Sequence, residues 1–208
     1  MKVYAEYLFP RLMDWMMSRK AFQRLRADAL KDIAGDVLEI GYGTALNLPH
    51  YPMAVSRLTM VDPVRLLRSR VERRAATVGF PVTIEQAPAE SLPFTPERFD
   101  CVVSTWTLCT IAEPEQALRE VRRVLKPGGA FVFLEHGRSD DARVAAWQDR
   151  LNPVQRFAAC GCNLNRPIHQ LIERSGLRLI DRRRFRMPHV PRIVGEMYQG
   201  RALSTKGS

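Results

Sequence analysis

An acid inside an apolar run, two glycines just behind it and a second acid closing the next apolar run are the chain's most chemically suggestive residues. They are Val37-Leu38-Glu39-Ile40-Gly41-Tyr42-Gly43-Thr44-Ala45-Leu46-Asn47-Leu48 and then Asp62, nineteen residues beyond Gly43. The pattern predicts a buried strand, a glycine turn and the start of a helix. Such a turn lets a ligand approach bare backbone, and an acid about 20 residues on commonly takes ribose hydroxyls. A dinucleotide fingerprint needs its third small residue three places after the second glycine. Here that place holds Leu46, and the small residue, Ala45, falls one earlier.

Glu39 adds a charge argument. A carboxylate beside the turn repels a pyrophosphate and attracts a cation. A cationic ribonucleoside without phosphates satisfies both observations, and S-adenosylmethionine is such a ligand. The alternative for Glu39 is a pairing with the N-terminal segment or a surface salt bridge. A strand this apolar points instead to burial on both faces.

Further motifs follow in order. Gln86-Ala87-Pro88-Ala89-Glu90-Ser91-Leu92-Pro93-Phe94 leads into Phe99-Asp100-Cys101-Val102-Val103-Ser104-Thr105-Trp106. Glu115 to Leu125 supplies a helix, and Lys126-Pro127-Gly128-Gly129 a turn before Ala130-Phe131-Val132-Phe133-Leu134-Glu135. From about Asp36 to Glu135 the chain resembles class I S-adenosylmethionine-dependent methyltransferases. The resemblance implies that Glu39, Gly41 and Gly43 border the methionine end of the cofactor. It places Asp62 on the ribose hydroxyls, Ala89 and Glu90 beside the adenine, and Thr105 near the sulfonium. Asn47, Pro63 and Leu108 complete the expected cofactor set. Ala45 departs from the glycine of many members, and is tolerated if its φ stays negative.

Methyl transfer from a sulfonium depends mainly on alignment and exclusion of water, so a catalytic base is not obligatory. A thiol, with a reference pKa of about 8.5, needs little help, whereas an oxygen or carbon acid needs a base. His136, closing the fifth strand beside Glu135, is the candidate base; its alternative is a supporting hydrogen bond to a loop or the cofactor. His50, His169 and His189 are expected to be surface or structural. Glu135-His136-Gly137-Arg138-Ser139, Trp147-Gln148, Leu151-Asn152-Pro153 and Gly161-Cys162-Asn163-Leu164-Asn165-Arg166 are similar to the methyltransferase-like family that includes small-thiol S-methyltransferases. The membrane-anchoring N-terminal helix of that family's animal members is not matched. Acceptor choice is expected in Tyr4, Tyr7 and Trp15 of a lid-like N-terminal segment and in Cys162, each with ordinary packing as its alternative.

These residues need a scaffold. Val3 to Ser18 carries apolar residues at helical spacing with Pro10 as a kink, and Lys20 to Lys31 follows as a second helix. Strands are expected at Asp36–Ile40, Arg57–Val61, Val82–Gln86, Asp100–Ser104 and Ala130–Leu134, with two more at Leu177–Phe185 and Arg192–Arg201. Between them, Asp62-Pro63 starts a helix with an inward stripe of Val64, Leu67, Val71, Ala75 and Val78. Glu113-Pro114 starts another, with Leu118, Val121 and Leu125 inward. Asp141 to Phe157 is rich in helix formers, and a short helix from Asn165-Arg166-Pro167 to Ser175 ends at Gly176. Alternation of this kind predicts an α/β fold: a doubly wound, mainly parallel seven-stranded sheet with helices on both faces. Residues 1–35 form an N-terminal helical lid and residues 36–208 the cofactor-binding domain, one compact unit, with Ser204 to Ser208 a frayed tail. Ligands in such sheets bind beyond the carboxyl ends of the strands, where Gly41, Asp62, Ala89, Thr105 and His136 fall.

Composition bounds the rest. The chain has 208 residues, 46% hydrophobic and 26% charged, as expected for a globular domain. No apolar run approaches the ~20 residues of a spanning helix. Glu6, Arg11 and Asp14 interrupt the first apolar stretch, which argues against a signal peptide. Four cysteines without C-x-x-C spacing imply cytoplasmic thiols and no metal site. The net charge of +10 suggests an anionic partner, or a surface that simply favours arginine, as the spread of Arg65, Arg68, Arg70, Arg73 and Arg74 indicates. A small-molecule methyl acceptor, a thiol or another compact apolar nucleophile, is therefore expected. The alternative acceptor is a phospholipid amine or quinone at an anionic membrane, met by Leu12-Met13-Asp14-Trp15-Met16-Met17 and its flanking Arg11, Arg19 and Lys20. Nucleic acid is not expected as a partner, since Arg182, Arg183, Arg184 and Arg186 fall on a strand and share no single face.

Overall fold

The computed structural model describes residues 4–188 and 190–204, without the side chains of residues 5 and 6. Val3, His189 and the tail beyond Ser204 lie outside the described residues. Seven strands form one sheet in the order β3-β2-β1-β4-β5-β7-β6. They are β1 (Gly35–Ile40), β2 (Val55–Asp62), β3 (Val82–Gln86), β4 (Phe99–Thr105), β5 (Leu125–His136), β6 (Leu177–Arg186) and β7 (Glu196–Ser204). The pairs from β3 through β5 are parallel, and β7 runs antiparallel to both its neighbours.

Helices cover both faces. They are α1 (Phe9–Met17), preceded by a π-helical turn at Tyr4–Leu8, α2 (Lys20–Leu30), α3 (Arg68–Ala75), α4 (Pro114–Val124), α5 (Ala142–Ala158) and α6 (Ile168–Arg174). One core packs Leu118, Val121, Ile168 and Ile172 against Leu38, Ile40, Phe131 and Phe133. The other packs Leu30, Ile33 and Val71 against Val37, Leu58, Met60 and Val103. Val37, Leu38 and Ile40 have no exposed surface. Each such side chain contributes about 1.5–3 kcal/mol by leaving water. Strand order reverses between β1 and β4, and ligands bind in the crevice that such a reversal opens at the strands' carboxyl ends.

Several boundaries differ from the sequence reading for local reasons. After the glycine turn there is only a short 3₁₀ turn, Leu48–His50, which carries Pro49 in its first turn and is followed by Pro52, a residue that cannot continue a helix. The helix expected from Asp62-Pro63 starts at Arg68, behind Leu67 with φ 43°. Val71 of its stripe is buried, Leu67, Ala75 and Val78 are half-buried, and Val64 is exposed. Lys126-Pro127-Gly128-Gly129 is not a turn but an irregular part of β5, where the register against β4 shifts between Phe99 and Cys101. Leu125, expected on the helix, is therefore the first residue of β5. The last strand begins at Glu196 rather than Arg192 and reaches Ser204, which is buried and not frayed. In α1, Pro10, Asp14 and Met17 face inward, while Leu12 and Trp15 face out.

Candidate active site

The glycine turn leaves β1 with φ 67° at Gly41 and 54° at Gly43, the left-handed region that glycine enters without steric cost. A side chain at Gly41 would strike the Thr107 side chain, 2.1 Å from the ideal Cβ position. At Gly43 the same construction meets no atom within 4 Å, so bare backbone faces open space there. Ala45 follows with φ 61°. The condition under which alanine is tolerated without strain, a negative φ, is therefore not met. The alanine is held left-handed, at a cost of about 1–2 kcal/mol, while its methyl packs in the second core.

Glu39 is buried, and both its oxygens are engaged. Asn47 Nδ2 donates to one at 2.8 Å, and the Tyr51 hydroxyl to the other at 2.8 Å. Arg26, projecting from α2, donates through Nη1 to Asn47 Oδ1 at 2.6 Å and to Thr105 Oγ1 at 3.1 Å. Asn47 Nδ2 also reaches Thr105 Oγ1 at 3.0 Å, and the guanidinium lies 4.7 Å above the Trp106 ring. Burial pushes the Glu39 carboxyl upward, against the Tyr51 hydrogen bond and the Arg26 charge. Burial likewise brings Arg26 down to about 10, against the pull of Glu39, so it stays charged near neutral pH. The negative charge that the sequence places at the cleft is thus balanced inside the protein. Arg26 Nε is buried with no partner among the described residues.

Asp62 ends β2 with its carboxylate bridging two loops. It accepts from Gly43 N at 3.1 Å and from Val64 N at 2.9 Å, which ties the glycine turn to the segment before α3. Burial raises its pKa against these two backbone donors. Each oxygen keeps a further lone pair for a ligand hydroxyl. Pro63 is exposed, and its carbonyl accepts from Gln86 Nε2 at 3.0 Å. Ala89 packs in the first core, and Glu90 holds the approach to α4 through Gln116, whose Nε2 donates to its carbonyl at 3.0 Å.

At the ends of β4 and β5 a second group converges. Glu135 accepts from Ser104 Oγ at 2.7 Å and from Thr107 N at 3.1 Å, and Thr107 Oγ1 donates to the Gly41 carbonyl at 3.1 Å. Leu108 has no exposed surface; its side chain belongs to the core, and its carbonyl accepts from Arg166. His136 Nε2 lies 2.9 Å from Cys162 Sγ, and Cys162 Sγ lies 3.6 Å from Cys109 Sγ. Contact with Cys109, together with burial, pushes the Cys162 thiol upward.

The expected acceptor residues divide. Cys162 joins His136. Tyr4 is anchored by its hydroxyl to the Ala158 carbonyl at 2.8 Å and packs on Phe9. Tyr7 and Trp15 stand on the outer face, 55% and 59% exposed, with Arg19 over the Trp15 ring. Inward, Asp14 pairs with Arg70 and Arg74, fastening α1 to α3. Among the other histidines, His50 meets Gln23 Oε1 at 2.7 Å, and His169 packs between Phe133 and Tyr198.

Sequence reasoning missed Arg26, Tyr51 and Cys109. Arg26 carries a readable signal, a cation within the otherwise apolar inward positions of α2. Tyr51 and Cys109 carry none, because only tertiary contact gives them partners.

The residues present fit a cationic adenosyl amino acid. There is open space against the Gly43 backbone, spare acceptor capacity on Asp62, and an unpartnered buried N–H on Arg26. A family model described as a methyltransferase domain matches residues 38–133. Thiol S-methyltransferase TMT1A of Homo sapiens is 34% identical over 163 residues, 76% of this chain and 66% of that protein. Thiol S-methyltransferase TMT1B of Rattus norvegicus is 31% identical over 188 residues, 80% of this chain and 74% of its own length. The chain thus spans about two thirds to three quarters of these relatives. Among solved structures, the N-methyltransferase NodS of Bradyrhizobium japonicum, with bound S-adenosyl-L-homocysteine, superposes with a TM-score of 0.66 at 18% identity, covering 91% of this chain and 90% of that one. The chain is an S-adenosylmethionine-dependent methyltransferase and belongs to the family that includes these thiol S-methyltransferases.

Proposed function

We propose that the methyl acceptor is a small thiol. The observation that carries this reading is the acceptor end itself. Among the described residues, the one imidazole at the mouths of β4 and β5 is engaged with a cysteine sulfur at 2.9 Å, and Glu135 is buried behind it. That arrangement serves an acceptor that ionises with little help. Thiols do so, with a reference pKa of about 8.5, whereas alcohols and carbon acids do not. The names of the two relatives support the same class.

When bound, S-adenosylmethionine supplies an electrophilic methyl group on a positively charged sulfur. Asp62 takes the ribose hydroxyls, and Ala89 and Glu90 border the adenine. The Gly41 and Gly43 backbone lies along the amino-acid end, where Arg26 Nε meets the carboxylate. Thr105 and Asn47 keep Arg26 in place, and the N-terminal helices close this side of the cleft as a lid and exclude water. His136 and Cys162 line the acceptor side.

The test is a panel of thiols, amines, phenols and quinones incubated with tritiated cofactor. Transfer to thiols is the expected result; transfer to amines or phenols with inert thiols refutes it. A second reading rests on a separate observation. Leu8, Leu12 and Trp15 of the N-terminal segment and Trp147, Val154 and Phe157 of α5 are all exposed. Tyr4 joins the two elements, and Arg11, Arg19, Arg150 and Arg156 are exposed on them. This surface suits peripheral contact with an anionic bilayer, from which a lipid-dissolved acceptor would enter. Co-sedimentation with anionic liposomes that is lost on deleting residues 1–18 supports it, and no binding to such liposomes refutes it.

A further inference from the structure

Three segments far apart in sequence bring two sulfurs and one imidazole nitrogen together. Cys109 lies four residues beyond the end of β4, His136 is the last residue of β5, and Cys162 sits in the turn after α5. Their donor atoms all lie within 4.8 Å of one another. We propose that Cys109, Cys162 and His136 bind a thiophilic divalent cation, zinc foremost, with a fourth position open to the sulfur of the acceptor. The cation site stands on its own geometry, while the role of the fourth position rests on the thiol reading above.

The distances suit a tetrahedral ion. Zinc–sulfur bonds of about 2.3 Å and zinc–nitrogen bonds of about 2.0 Å place tetrahedral donors about 3.5–3.8 Å apart. The two sulfurs are 3.6 Å apart already. The His136–Cys162 pair, at 2.9 Å, opens by about 0.6 Å when an ion replaces the hydrogen bond between them. Two soft sulfurs with an imidazole select zinc over magnesium or calcium. Three protein donors with one position free is the arrangement of a reactive zinc site rather than a structural one.

The donors are also held in place. Asn163, next to Cys162, donates to the Cys109 carbonyl through both its backbone N at 2.8 Å and its Nδ2 at 2.9 Å. Asn152 fixes that turn in turn, meeting Asn163 Oδ1 at 3.2 Å and accepting from Leu164 N at 2.8 Å. His136 is paired in the ladder with Met197 of β7. Thr107, two residues before Cys109, hydrogen-bonds to the Gly41 carbonyl, which sets the cluster beside the cofactor turn. The C-x-x-C rule finds none of this, because the ligands share no local spacing.

The chemistry balances without a further reagent. An acceptor R–SH that takes the fourth position releases its proton to solvent. Its sulfur forms the new S–CH₃ bond while the methyl–sulfur bond of the sulfonium breaks. The products are a thioether, neutral S-adenosylhomocysteine and one proton. A thioether is a weaker ligand than a thiolate, so the product leaves the ion.

The test uses the full chain, reduced, stripped with a chelator, desalted and titrated with Co²⁺ as a coloured stand-in for zinc. The expected result is thiolate-to-cobalt charge-transfer absorption that saturates at one ion per chain and is displaced by Zn²⁺. Cys109→Ser and Cys162→Ser should each lose at least half of that intensity, and Cys160→Ser, outside the cluster, should keep it. Circular dichroism and S-adenosylhomocysteine binding establish that the variants are folded. Absent absorption, or absorption unchanged in Cys162→Ser, overturns the site. So does oxidation that consumes Cys109 and Cys162 as a disulfide in protein that takes up no metal. Thiol methylation at an undiminished rate in metal-free protein overturns the role of the fourth position and leaves the thiol reading intact. A saturable cobalt site in a protein that methylates no thiol refutes the thiol reading and leaves the ion site standing.

Discussion

Removing Arg26 tests whether the buried network beside the glycine turn is held by charge or only by packing. In Arg26→Met the side chain keeps an unbranched apolar stem and loses its guanidinium, and with it the two hydrogen bonds to Asn47 and Thr105. Thr105 still has Asn47 as donor, but Asn47 Oδ1 is left buried without one, which costs about 1–3 kcal/mol. Glu39 loses its counter-charge as well. The path from Glu39 to Arg26 is two hydrogen bonds, of 2.8 and 2.6 Å, joined by one amide. Across about 7 Å at an effective dielectric near 20, the attraction is about 2 kcal/mol. The expected total is about 4 kcal/mol, which moves the urea midpoint by about 2 M at a slope of about 2 kcal/mol/M.

The double variant Arg26→Met/Glu39→Gln isolates the charge, because glutamine still accepts from Asn47 or Tyr51. It should be about 2 kcal/mol more stable than the two single losses combined, a coupling well above the ~0.5 kcal/mol found for independent sites. The pH dependence has a fixed sign. Without Arg26 the Glu39 carboxyl, already raised by burial, rises further, so the folded state binds more protons than the unfolded one between the unfolded and folded pKa values. Stability of Arg26→Met is then best below the unfolded value and falls as pH rises through that window. Urea titrations followed by circular dichroism at several pH values measure all of this. Strictly additive variants, or a deficit that does not change with pH, refute the electrostatic account.

Three other perturbations have definite outcomes. Asp62→Asn should weaken S-adenosylmethionine binding about 10–100-fold, the equivalent of roughly 1.5–3 kcal/mol for hydrogen bonds to a charged group; an unchanged Kd by calorimetry removes Asp62 from the ribose. Because burial raises Asp62, wild-type affinity should begin to fall on acidification at a higher pH than an ordinary carboxylate would give. Gly41→Ala should lower the melting temperature by several degrees, since it adds a methyl group against Thr107 at φ 67°, and an unchanged melting curve would show that the turn relaxes freely. His136→Ala should reduce turnover while leaving S-adenosylhomocysteine affinity within about twofold; equal losses in both would place the imidazole on the cofactor instead.

Strands β1, β2, β4 and β5 were legible because each is a largely apolar run buried over most of its length, whereas β3 and β6 are mostly exposed. The glycine turn was legible from spacing, and so was Asp62. Boundaries set by backbone detail were not. Leu67 and Ala45 adopt a left-handed φ that no side chain announces, and four turn-forming residues, Lys126 to Gly129, are carried within β5 as a register shift. The face of α1 was open in the sequence, since Asp14 looks like a surface acid until Arg70 and Arg74 of α3 stand opposite it.

By itself the sequence determined the alternation of strands and helices, the sheet that follows from it, and a cofactor turn whose parts lie within one strand–turn–strand stretch. Tertiary structure decided what each charged or nucleophilic group could do. Arg26 neutralises Glu39 only because α2 packs against β5 and the 3₁₀ turn that follows the glycine turn. Cys109, His136 and Cys162 meet only because β4, β5 and the turn after α5 end at one place. Local spacing records the part of a site that one segment builds; a group's partners, and with them its charge and chemistry, depend on segments that the chain brings together only by folding.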